Sequence, residues 1–367
     1  MNALQPHLGL HKTDLDTPVL LLDLDIMEAN LHRIAAVCSR AGVAWRPHMK
    51  GLKIPAIAHK AMAAGAIGIT CAKLGEAEVM AAAGISDILI ANQIVGPIKI
   101  GRLVNLRMHA DPIVLVDDRN NIAELSAAAK TKGVELRVLI ELNTGLERAG
   151  VLPGQPALDL ARYIVTQPNL RLAGVESWEG HTTEIADPDE KKRAIEASVT
   201  KLTDTADLLR QHGFSIDIVS CGGSGTFDTT AGLKGVTEIQ AGGAILSDVR
   251  YSRKYHLDFP YALTVMSTVT SRPKPNRIIC DAGQKTMTIN HTAPEAIGIA
   301  QPYSLKFSAE HVRLDLEGDN TDLKVSDKIE FIVGYAETTV NLHDEMVGVR
   351  DGFVEMIWPI QARGKIR

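Results

Sequence analysis

The chain has 367 residues, which is enough for two domains or for one barrel with an addition. Hydrophobic residues make up 45% of it and charged residues 23%, an ordinary balance for a globular protein. The net charge is −5 with both signs interspersed, and basic runs and aromatic residues are sparse. This composition argues against nucleic acid as a partner.

Nothing in the sequence predicts a membrane or secreted protein. The apolar run 61–72 is interrupted by glycine and is too short to span a bilayer, and residues 1–12 lack the apolar core of a signal peptide. Cys38, Cys71, Cys221 and Cys280 are scattered, without metal-ligand or disulfide-framework spacing. We therefore expect a cytoplasmic protein.

The first predicted strand covers 19–24, and Asp25 is expected to cap the helix that follows. A second short strand is predicted in the heptapeptide 45–51 (WRPHMKG). Its alternate residues Arg46, His48 and Lys50 would share one face of this strand.

From there, β-rich runs alternate with amphipathic helical patterns. The further predicted strands are 66–70, 87–92, 112–117, 136–143, 171–178, 215–220 and 236–240. The predicted helices between them are 74–83, 97–108, 121–130, 157–166 and 190–211. With the Lys50 strand, eight strand–helix units predict a closed (β/α)8 barrel, and an open doubly wound sheet is the alternative.

After about residue 255 the pattern changes to one strand after another. These predicted strands are 261–270, 277–280, 328–333, 346–350 and 353–360. The sequence therefore predicts a barrel domain over 25–255 and an all-β domain made of 1–24 and 256–367, in which the N-terminal strand completes the sheet.

Three basic groups on one strand face are costly inside a barrel unless they are hydrated or paired, and a functional site is one explanation for that cost. We interpret Lys50 as a lysine that forms an imine with pyridoxal phosphate (PLP). A surface strand that ends in lysine is one alternative. A Schiff base between Lys50 and a ketone substrate, without PLP, is another.

Barrel enzymes carry catalytic groups at the C-terminal ends of their strands. The seventh strand runs into a glycine-rich turn in which Gly223, Ser224, Gly225 and Thr226 offer N–H groups and hydroxyls to a phosphate. The next strand ends in another glycine-rich segment, 240–243, which we expect on the second side of that phosphate.

Two further strand ends carry candidate side chains. Arg148 follows the strand 136–143 and is a candidate cofactor contact, unless it pairs with Glu141 or Glu147. His181 follows the strand 171–178 and is a candidate general acid or base, with a structural histidine as the alternative.

Taken in order, these motifs resemble the D-threonine aldolase and D-serine dehydratase-like family, the fold type III PLP enzymes that share the alanine racemase architecture. The resemblance runs through RPHMK at 46–50, the loop 143–150, EGH at 179–181, GGSGT at 222–226, CDAGQK at 280–285, TVNL at 339–342 and VRDG at 349–352.

The resemblance implies a barrel plus a β domain and a homodimer whose β domain faces the partner's barrel mouth. It implies that Lys50 is the imine lysine, with the cofactor held by His48, Arg148, Gly223, Ser224, Gly225 and Thr226.

One departure concerns a metal. Metal-dependent members of the family carry a His-x-Asp or His-x-Cys pair shortly before the segment matched by 339–342, where this chain has Tyr335 and Glu337. Glu337 can ligate Mg²⁺ or Mn²⁺. The Tyr335 phenol, with an ordinary pKa of ~10, is protonated at neutral pH and is therefore a poor ligand. We expect no tightly held zinc. In a metal-free enzyme, Tyr335 would instead act as a base or hydrogen-bond donor.

The expected function is that of a PLP-dependent lyase acting on a D-β-hydroxy amino acid, by retro-aldol cleavage to glycine or a related amino acid and an aldehyde. The alternatives are dehydration of a substrate such as D-serine or 3-hydroxyaspartate, metal-independent racemisation, and non-catalytic binding of PLP.

Overall fold

The computed structural model describes residues 7–299, 303–320 and 322–367. Contacts divide the described residues into two compact units. The barrel unit comprises 31–242 with 364–367, and the β unit comprises the described residues within 1–30 and 243–363. No helix among the described residues combines the length and the apolar character needed to cross a membrane.

In chain order the strands are β1 (Val19–Asp23), β2 (Ala44–Trp45), β3 (Ile69–Cys71), β4 (Asp87–Gln93), β5 (Asp111–Val116), β6 (Leu136–Glu141), β7 (Leu170–Glu176), β8 (Ile218–Cys221), β9 (Glu238–Ile239), β10 (Leu263–Lys274), β11 (Arg277–Cys280), β12 (Glu295–Ala296), β13 (Tyr303–Phe307), β14 (Val312–Leu316), β15 (Lys328–Ile332), β16 (Glu345–Arg350) and β17 (Phe353–Pro359). The α-helices are α1 (Leu24–Ala41), α2 (Pro55–Ala63), α3 (Leu74–Ala82), α4 (Pro97–Leu106), α5 (Arg119–Lys132), α6 (Gln155–Ile164), α7 (Pro188–Gln211), α8 (Phe227–Thr230), α9 (Val249–Tyr255) and α10 (Ala336–Thr339).

The barrel unit is built on a parallel sheet in the order β2-β9-β8-β7-β6-β5-β4-β3. Its two end strands are joined through the backbone, because Thr70 N–H donates to the Pro47 carbonyl at 2.9 Å and Ile67 N–H donates to the Trp45 carbonyl at 2.9 Å. The predicted eight-stranded barrel is thus confirmed, and the open sheet is wrong.

Helices follow the strands as the periodicity predicts. In α6 the buried residues recur with helical spacing, and they are Ala157, Leu158, Leu160, Ala161 and Ile164. Helix α5 begins after Asp118, whose carboxylate accepts the N–H groups of Asn120 and Asn121, and it ends at Gly133 with φ +70°. Helix α2 was not predicted, because its apolar, alanine-rich sequence shows little amphipathic contrast.

The β unit contains a sheet in the order β13-β14-β11-β10-β1-β16-β17, and β15 pairs with β10 and β12. The N-terminal strand β1 lies between β10, antiparallel to it, and β16, parallel to it. The prediction that this strand completes the second sheet is confirmed. Strands β12, β13 and β14 were missed, since they are short and carry few buried apolar residues.

The start of α1 differs from the prediction. The Asp23 carboxylate, rather than that of Asp25, accepts the Ile26 N–H at 2.9 Å. Asp25 instead lies in the first helical turn and forms an ion pair with Arg350. The cap predicted at Asp25 is therefore wrong, because the helix begins at Leu24, two residues earlier than a cap at Asp25 requires, and Asp23 is the residue that reaches the N–H group three positions ahead.

The strand predicted over 45–51 is also shorter than expected. It ends at Trp45, and Lys50 lies in a 3₁₀ turn formed by Met49–Gly51. Arg46 is only 1% exposed, and its guanidinium contacts Glu238 at 2.8 Å and Asp87 at 3.0 Å. The burial cost of Arg46 is thus offset by ion pairs inside the barrel unit.

Removing this guanidinium should destabilise the fold strongly. We expect Arg46→Met to lower the free energy of unfolding by about 3–5 kcal/mol, because the Glu238 carboxylate, 2% exposed, would lose its cationic partner. Urea denaturation measures the change. Arg171→Met is the control, since Arg171 is 49% exposed and 3.6 Å from Glu135, and it should cost less than about 1 kcal/mol. Equal losses in the two variants would contradict the structural role of Arg46.

Candidate active site

Three neighbouring segments meet at the C-terminal rim of the barrel, where β2, β9 and β8 are adjacent. His48 N–H donates to the Gln240 carbonyl at 3.0 Å, and Gln240 N–H donates to the Gly222 carbonyl at 3.0 Å. The Lys50 turn, the segment 240–242 and the glycine turn 222–226 therefore follow one another along this rim. Barrel enzymes build their active sites at this end of the strands.

Lys50 is half-buried, and its backbone N–H donates to Nδ1 of His48 at 3.3 Å. Burial, followed by the charges of Lys50, Lys53 and Arg148, holds the pKa of His48 well below 6.5. The imidazole is therefore neutral near pH 7, which suits its role as an acceptor.

A second lysine lies close to Lys50 in sequence but has a different role. Lys53 is 4% exposed, and its ammonium forms an ion pair with Glu76. The other oxygen of Glu76 accepts the N–H groups of Ala72 and Lys73 at 2.8 and 3.1 Å at the start of α3. This buried pair commits Lys53 to the structure.

The glycine turn is held by a carboxylate that the sequence reasoning did not assign. Glu179 is fully buried and accepts hydrogen bonds from the hydroxyls of Thr226 and Thr230 at 2.6 and 2.9 Å. It also accepts the Gly222 N–H at 3.3 Å. The Thr226 hydroxyl proton is thus directed at Glu179, so a phosphate in this turn would be met by other groups of the turn.

Close backbone approaches explain two of the glycines at the rim. A Cβ atom on Gly242 would lie 2.2 Å from the carbonyl oxygen of His48, and one on Gly223 would lie 2.3 Å from the ring of Trp178. A side chain at either position would push the rim segments apart.

Buried polar atoms without a partner lie at the neighbouring strand end. Within the described part of the chain, Oε2 of Glu176 and Oγ of Ser177 have no hydrogen-bond partner. Burial, followed by the charge of Glu141, raises the pKa of Glu176 well above 4.5, which favours the protonated form of this carboxyl. An amine, backbone N–H groups and unpartnered polar atoms on one rim fit a cofactor with an aldehyde, a phosphate and a ring nitrogen.

Arg148 and His181 lie on other loops of the barrel unit. The Arg148 guanidinium is 3.5 Å from Glu141 and its side chain is 59% exposed, so the structure shows the ion pair that we gave as the alternative to a cofactor contact. The His181 ring packs on Gly145, where a Cβ atom would lie 2.8 Å from Nε2. Partial burial lowers the pKa of His181, although Glu179 opposes the shift. Both assigned roles stay predictions.

Tyr335 and Glu337 lie in the β unit, and they contact each other. The Tyr335 hydroxyl donates to Glu337 at 2.6 Å, and the Tyr251 hydroxyl donates to the other Glu337 oxygen at 2.8 Å. Over the described ranges, no group of three or more His, Cys, Asp and Glu side chains is arranged to hold a metal ion. Because phenolic hydroxyls donate to both oxygens of Glu337, this carboxylate does not fit the Mg²⁺ or Mn²⁺ site considered from the sequence.

A barrel with a lysine after its first strand, glycine turns after its seventh and eighth strands and an additional β unit has the architecture of a fold type III PLP enzyme. The family model for the alanine racemase N-terminal domain matches residues 22–248, and a serine dehydratase domain model matches 262–349.

Comparison with known proteins agrees with this class. The chain is 33% identical to a 3-hydroxy-D-aspartate aldolase of Paracoccus denitrificans over 97% of its length and 94% of that protein. A crystal structure of D-threonine aldolase from Filomicrobium marinum superposes with a TM-score of 0.93 at 37% identity, covering 98% of this chain and 99% of that one. A D-threo-3-hydroxyaspartate dehydratase of Delftia sp. is 33% identical over 64% of this chain and 62% of that protein.

The chain belongs to the D-threonine aldolase and D-serine dehydratase-like family of fold type III PLP enzymes. It is an enzyme of the lyase class.

The tight packing of the rim can be tested with one methyl group. We expect Gly242→Ala to lower the free energy of unfolding by about 1–3 kcal/mol, since the new Cβ atom would overlap the His48 backbone. Gly101→Ala is the control, because this glycine lies in α4 with nothing within 4 Å of an added Cβ atom. It should be neutral or stabilise the protein by up to about 1 kcal/mol. Urea denaturation measures both, and a Gly242→Ala protein as stable as Gly101→Ala would refute the close approach.

Proposed function

We propose that this chain is a PLP-dependent aldolase that cleaves a D-β-hydroxy amino acid to glycine, or a related amino acid, and an aldehyde. The proposal is carried by the adjacency of the Lys50 turn and the glycine turn 222–226, joined through 240–242 at one rim of the barrel. Its relatives of near full-length similarity include two aldolases. We further propose that 25–255 forms the PLP-binding domain and that the enzyme is a cytoplasmic homodimer.

In this proposal the amine of Lys50 would hold the cofactor aldehyde as an imine, with loss of water, and backbone N–H groups of the glycine turn 222–226 would hold the phosphate. The Gly223 N–H already donates to the Thr226 hydroxyl oxygen at 3.1 Å, so Ser224 and Gly225 are the candidate donors. When bound, PLP draws electrons from the α carbon of an amino acid, and the protein selects the bond at that carbon that breaks. Nδ1 of neutral His48 accepts the backbone N–H of Lys50, and the ring adds no further positive charge beside the Lys50 amine. Glu179 keeps the glycine turn in shape through its hydrogen bonds to Gly222 and Thr226.

Retro-aldol cleavage requires that the substrate's β-hydroxyl lose a proton while the Cα–Cβ bond breaks. His181 and Tyr335 are our candidates to hold or move protons during the reaction. His181 is suited to accept a proton, because its lowered pKa keeps the imidazole neutral near pH 7. The Tyr335 hydroxyl is oriented by its hydrogen bond to Glu337.

Dehydration is the second candidate function, and the similarity to the Delftia dehydratase favours it. The solved structure of that dehydratase is 27% identical to this chain with a TM-score of 0.86, compared with 37% and 0.93 for the Filomicrobium aldolase, and we therefore rank cleavage first.

The covalent role of Lys50 is open to a direct test. The purified protein should be yellow, with an absorbance band that borohydride shifts, and Lys50→Ala should be colourless and bind PLP more weakly. Lys132→Ala is the control, since Lys132 is exposed at the end of α5, and it should keep the wild-type spectrum. A Lys50→Ala protein that binds PLP as tightly as wild type would remove this residue from the proposal.

Product analysis distinguishes the candidate reactions. D-threonine, D-phenylserine and D-3-hydroxyaspartate are incubated separately with the PLP-loaded enzyme. We expect glycine and the corresponding aldehyde from at least one of them. Ammonia with a keto acid would instead establish a dehydratase, and appearance of the α-epimer would establish a racemase. If none of these products forms from any substrate, the proposed substrate class is wrong.

A further inference from the structure

The most unusual cluster outside the barrel rim is formed by two phenols and one carboxylate in the β unit. Tyr251 and Tyr335 donate to different oxygens of Glu337, at 2.8 and 2.6 Å. Tyr251 comes from α9 and Glu337 from α10, 86 residues apart in the chain. We call these three residues the phenol clamp.

The backbone holds the clamp in this arrangement. Asp248 is fully buried, and its two oxygens accept the N–H groups of Tyr251 and Ala336, both at 2.8 Å. In addition, Arg250 N–H donates to the Gly334 carbonyl at 3.1 Å. Asp248 therefore ties the first turn of α9 to the first turn of α10, and this fixes the distance between Tyr251 and Glu337.

The side chains around the clamp restrict it further. A Cβ atom on Gly243 would lie 2.1 Å from the Tyr251 hydroxyl, so the glycine provides the space for that phenol. The Arg250 guanidinium lies 5.3 Å from the centre of the Tyr335 ring, and the His291 ring meets that ring edge-on at 5.7 Å. The Tyr335 ring is thus positioned by contacts that do not involve its hydroxyl.

These contacts conflict with a metal at this position. Each Glu337 oxygen already accepts a phenolic hydrogen bond, and a cation would have to displace the phenols or share the carboxylate with them. Mg²⁺ and Mn²⁺ favour carboxylate, carbonyl and water oxygens, and zinc favours nitrogen and sulfur ligands. The clamp offers one carboxylate and two hydroxyls whose protons point at it.

We propose that the phenol clamp stands in place of a metal-ligand pair, that it holds the Tyr335 hydroxyl for the lyase reaction, and that this reaction needs no divalent cation. Tyr251 is then a positioning residue, which acts on Tyr335 through Glu337. The catalytic part of this inference rests on the proposed function, whereas the metal-free character of the clamp can be measured without any substrate.

Metal binding is measured first, on the full chain dialysed against EDTA. Elemental analysis should then find no stoichiometric divalent metal, and titration with Mn²⁺ followed by electron paramagnetic resonance should show free Mn²⁺ from the first addition. One equivalent of retained metal, or stoichiometric Mn²⁺ binding that Glu337→Gln abolishes, would overturn the proposal.

Kinetics test the positioning role of Tyr251. On a substrate that is cleaved, Tyr251→Phe should lower kcat about tenfold or more, because the loss of one charge-assisted hydrogen bond loosens Glu337. It should leave KM and the PLP spectrum close to wild type and change the pH profile of kcat. EDTA should not affect the wild-type rate. Tyr163→Phe is the control, since Tyr163 lies in α6 with Arg119 5.1 Å from its ring centre, and it should behave as wild type.

Two kinetic results would overturn the proposal. One is a folded Tyr251→Phe protein with wild-type kcat and pH profile. The other is an activity that EDTA removes and Mn²⁺ restores. If no β-hydroxy amino acid is turned over at all, the proposed function fails, and the Mn²⁺ titration still decides whether the clamp excludes a metal.

Discussion

The candidate site depends on the closure of the parallel ring at its shortest strands. Strand β2 has only two residues, yet the extended chain that follows it forms hydrogen bonds with both neighbours, to Gln240 on one side and from Thr70 on the other. The Trp45 indole adds a hydrogen bond to the Ala241 carbonyl at 2.8 Å. Because parallel strands end at the same rim, this closure brings the Lys50 turn beside the segments that follow β9 and β8.

Charge inside the barrel unit serves two different purposes, and only one of them concerns the site. Arg46 is buried between Glu238 and Asp87, and Glu238 also accepts the Ser220 hydroxyl at 2.8 Å. That arrangement is satisfied without any ligand, so the burial of Arg46 is no evidence for one. A cofactor is indicated instead by Lys50, by the glycine turns and by the unpartnered polar atoms of Glu176 and Ser177.

The architecture could be predicted because it follows from local patterns in the sequence. Strand–helix alternation indicated the eight parallel strands, and the loss of helical periodicity indicated the β unit. The length of the Lys50 strand was overestimated. The alternation of basic residues in 46–50 does not determine where the backbone hydrogen bonding between neighbouring strands ends, and Pro47 has no N–H to donate to it.

The partners that shape the site could not be predicted in this way. Glu179 meets Thr226 across 47 positions in the chain, and Tyr251 meets Glu337 across 86. No local pattern marks either pair. Glu179 is the first residue of the EGH motif, in which His181 was the residue assigned a role, and its burial against two threonine hydroxyls appears only once β7 and β8 are paired. Tyr251 lies in a short helix whose sequence gives no sign that its hydroxyl has a carboxylate partner.

Four glutamates show that the hydrogen-bond donors around a carboxylate decide its chemical role, whereas its position in a sequence motif does not. Glu179 is saturated by two hydroxyls and one N–H, and it acts as a fixed anchor. Glu141 accepts an amide hydrogen bond from Gln93 and faces Arg148. Glu176 has one oxygen without a partner, and burial raises its pKa.

Glu337 resembles Glu179, because protein donors occupy both of its carboxylate oxygens. For Glu337 both donors are neutral O–H groups. The oxygens of such a carboxylate are already hydrogen-bonded to protein donors in place of water. A cation that binds it must therefore compete with the two phenolic hydrogen bonds, and the net free energy of binding is reduced by their loss. Histidine at position 335 would offer a nitrogen lone pair to a metal, whereas tyrosine there offers a proton to the carboxylate. Tyr335 and Glu337, with Tyr251 donating from α9, therefore form a hydrogen-bonded clamp where a His-x-Asp or His-x-Cys pair would present metal ligands.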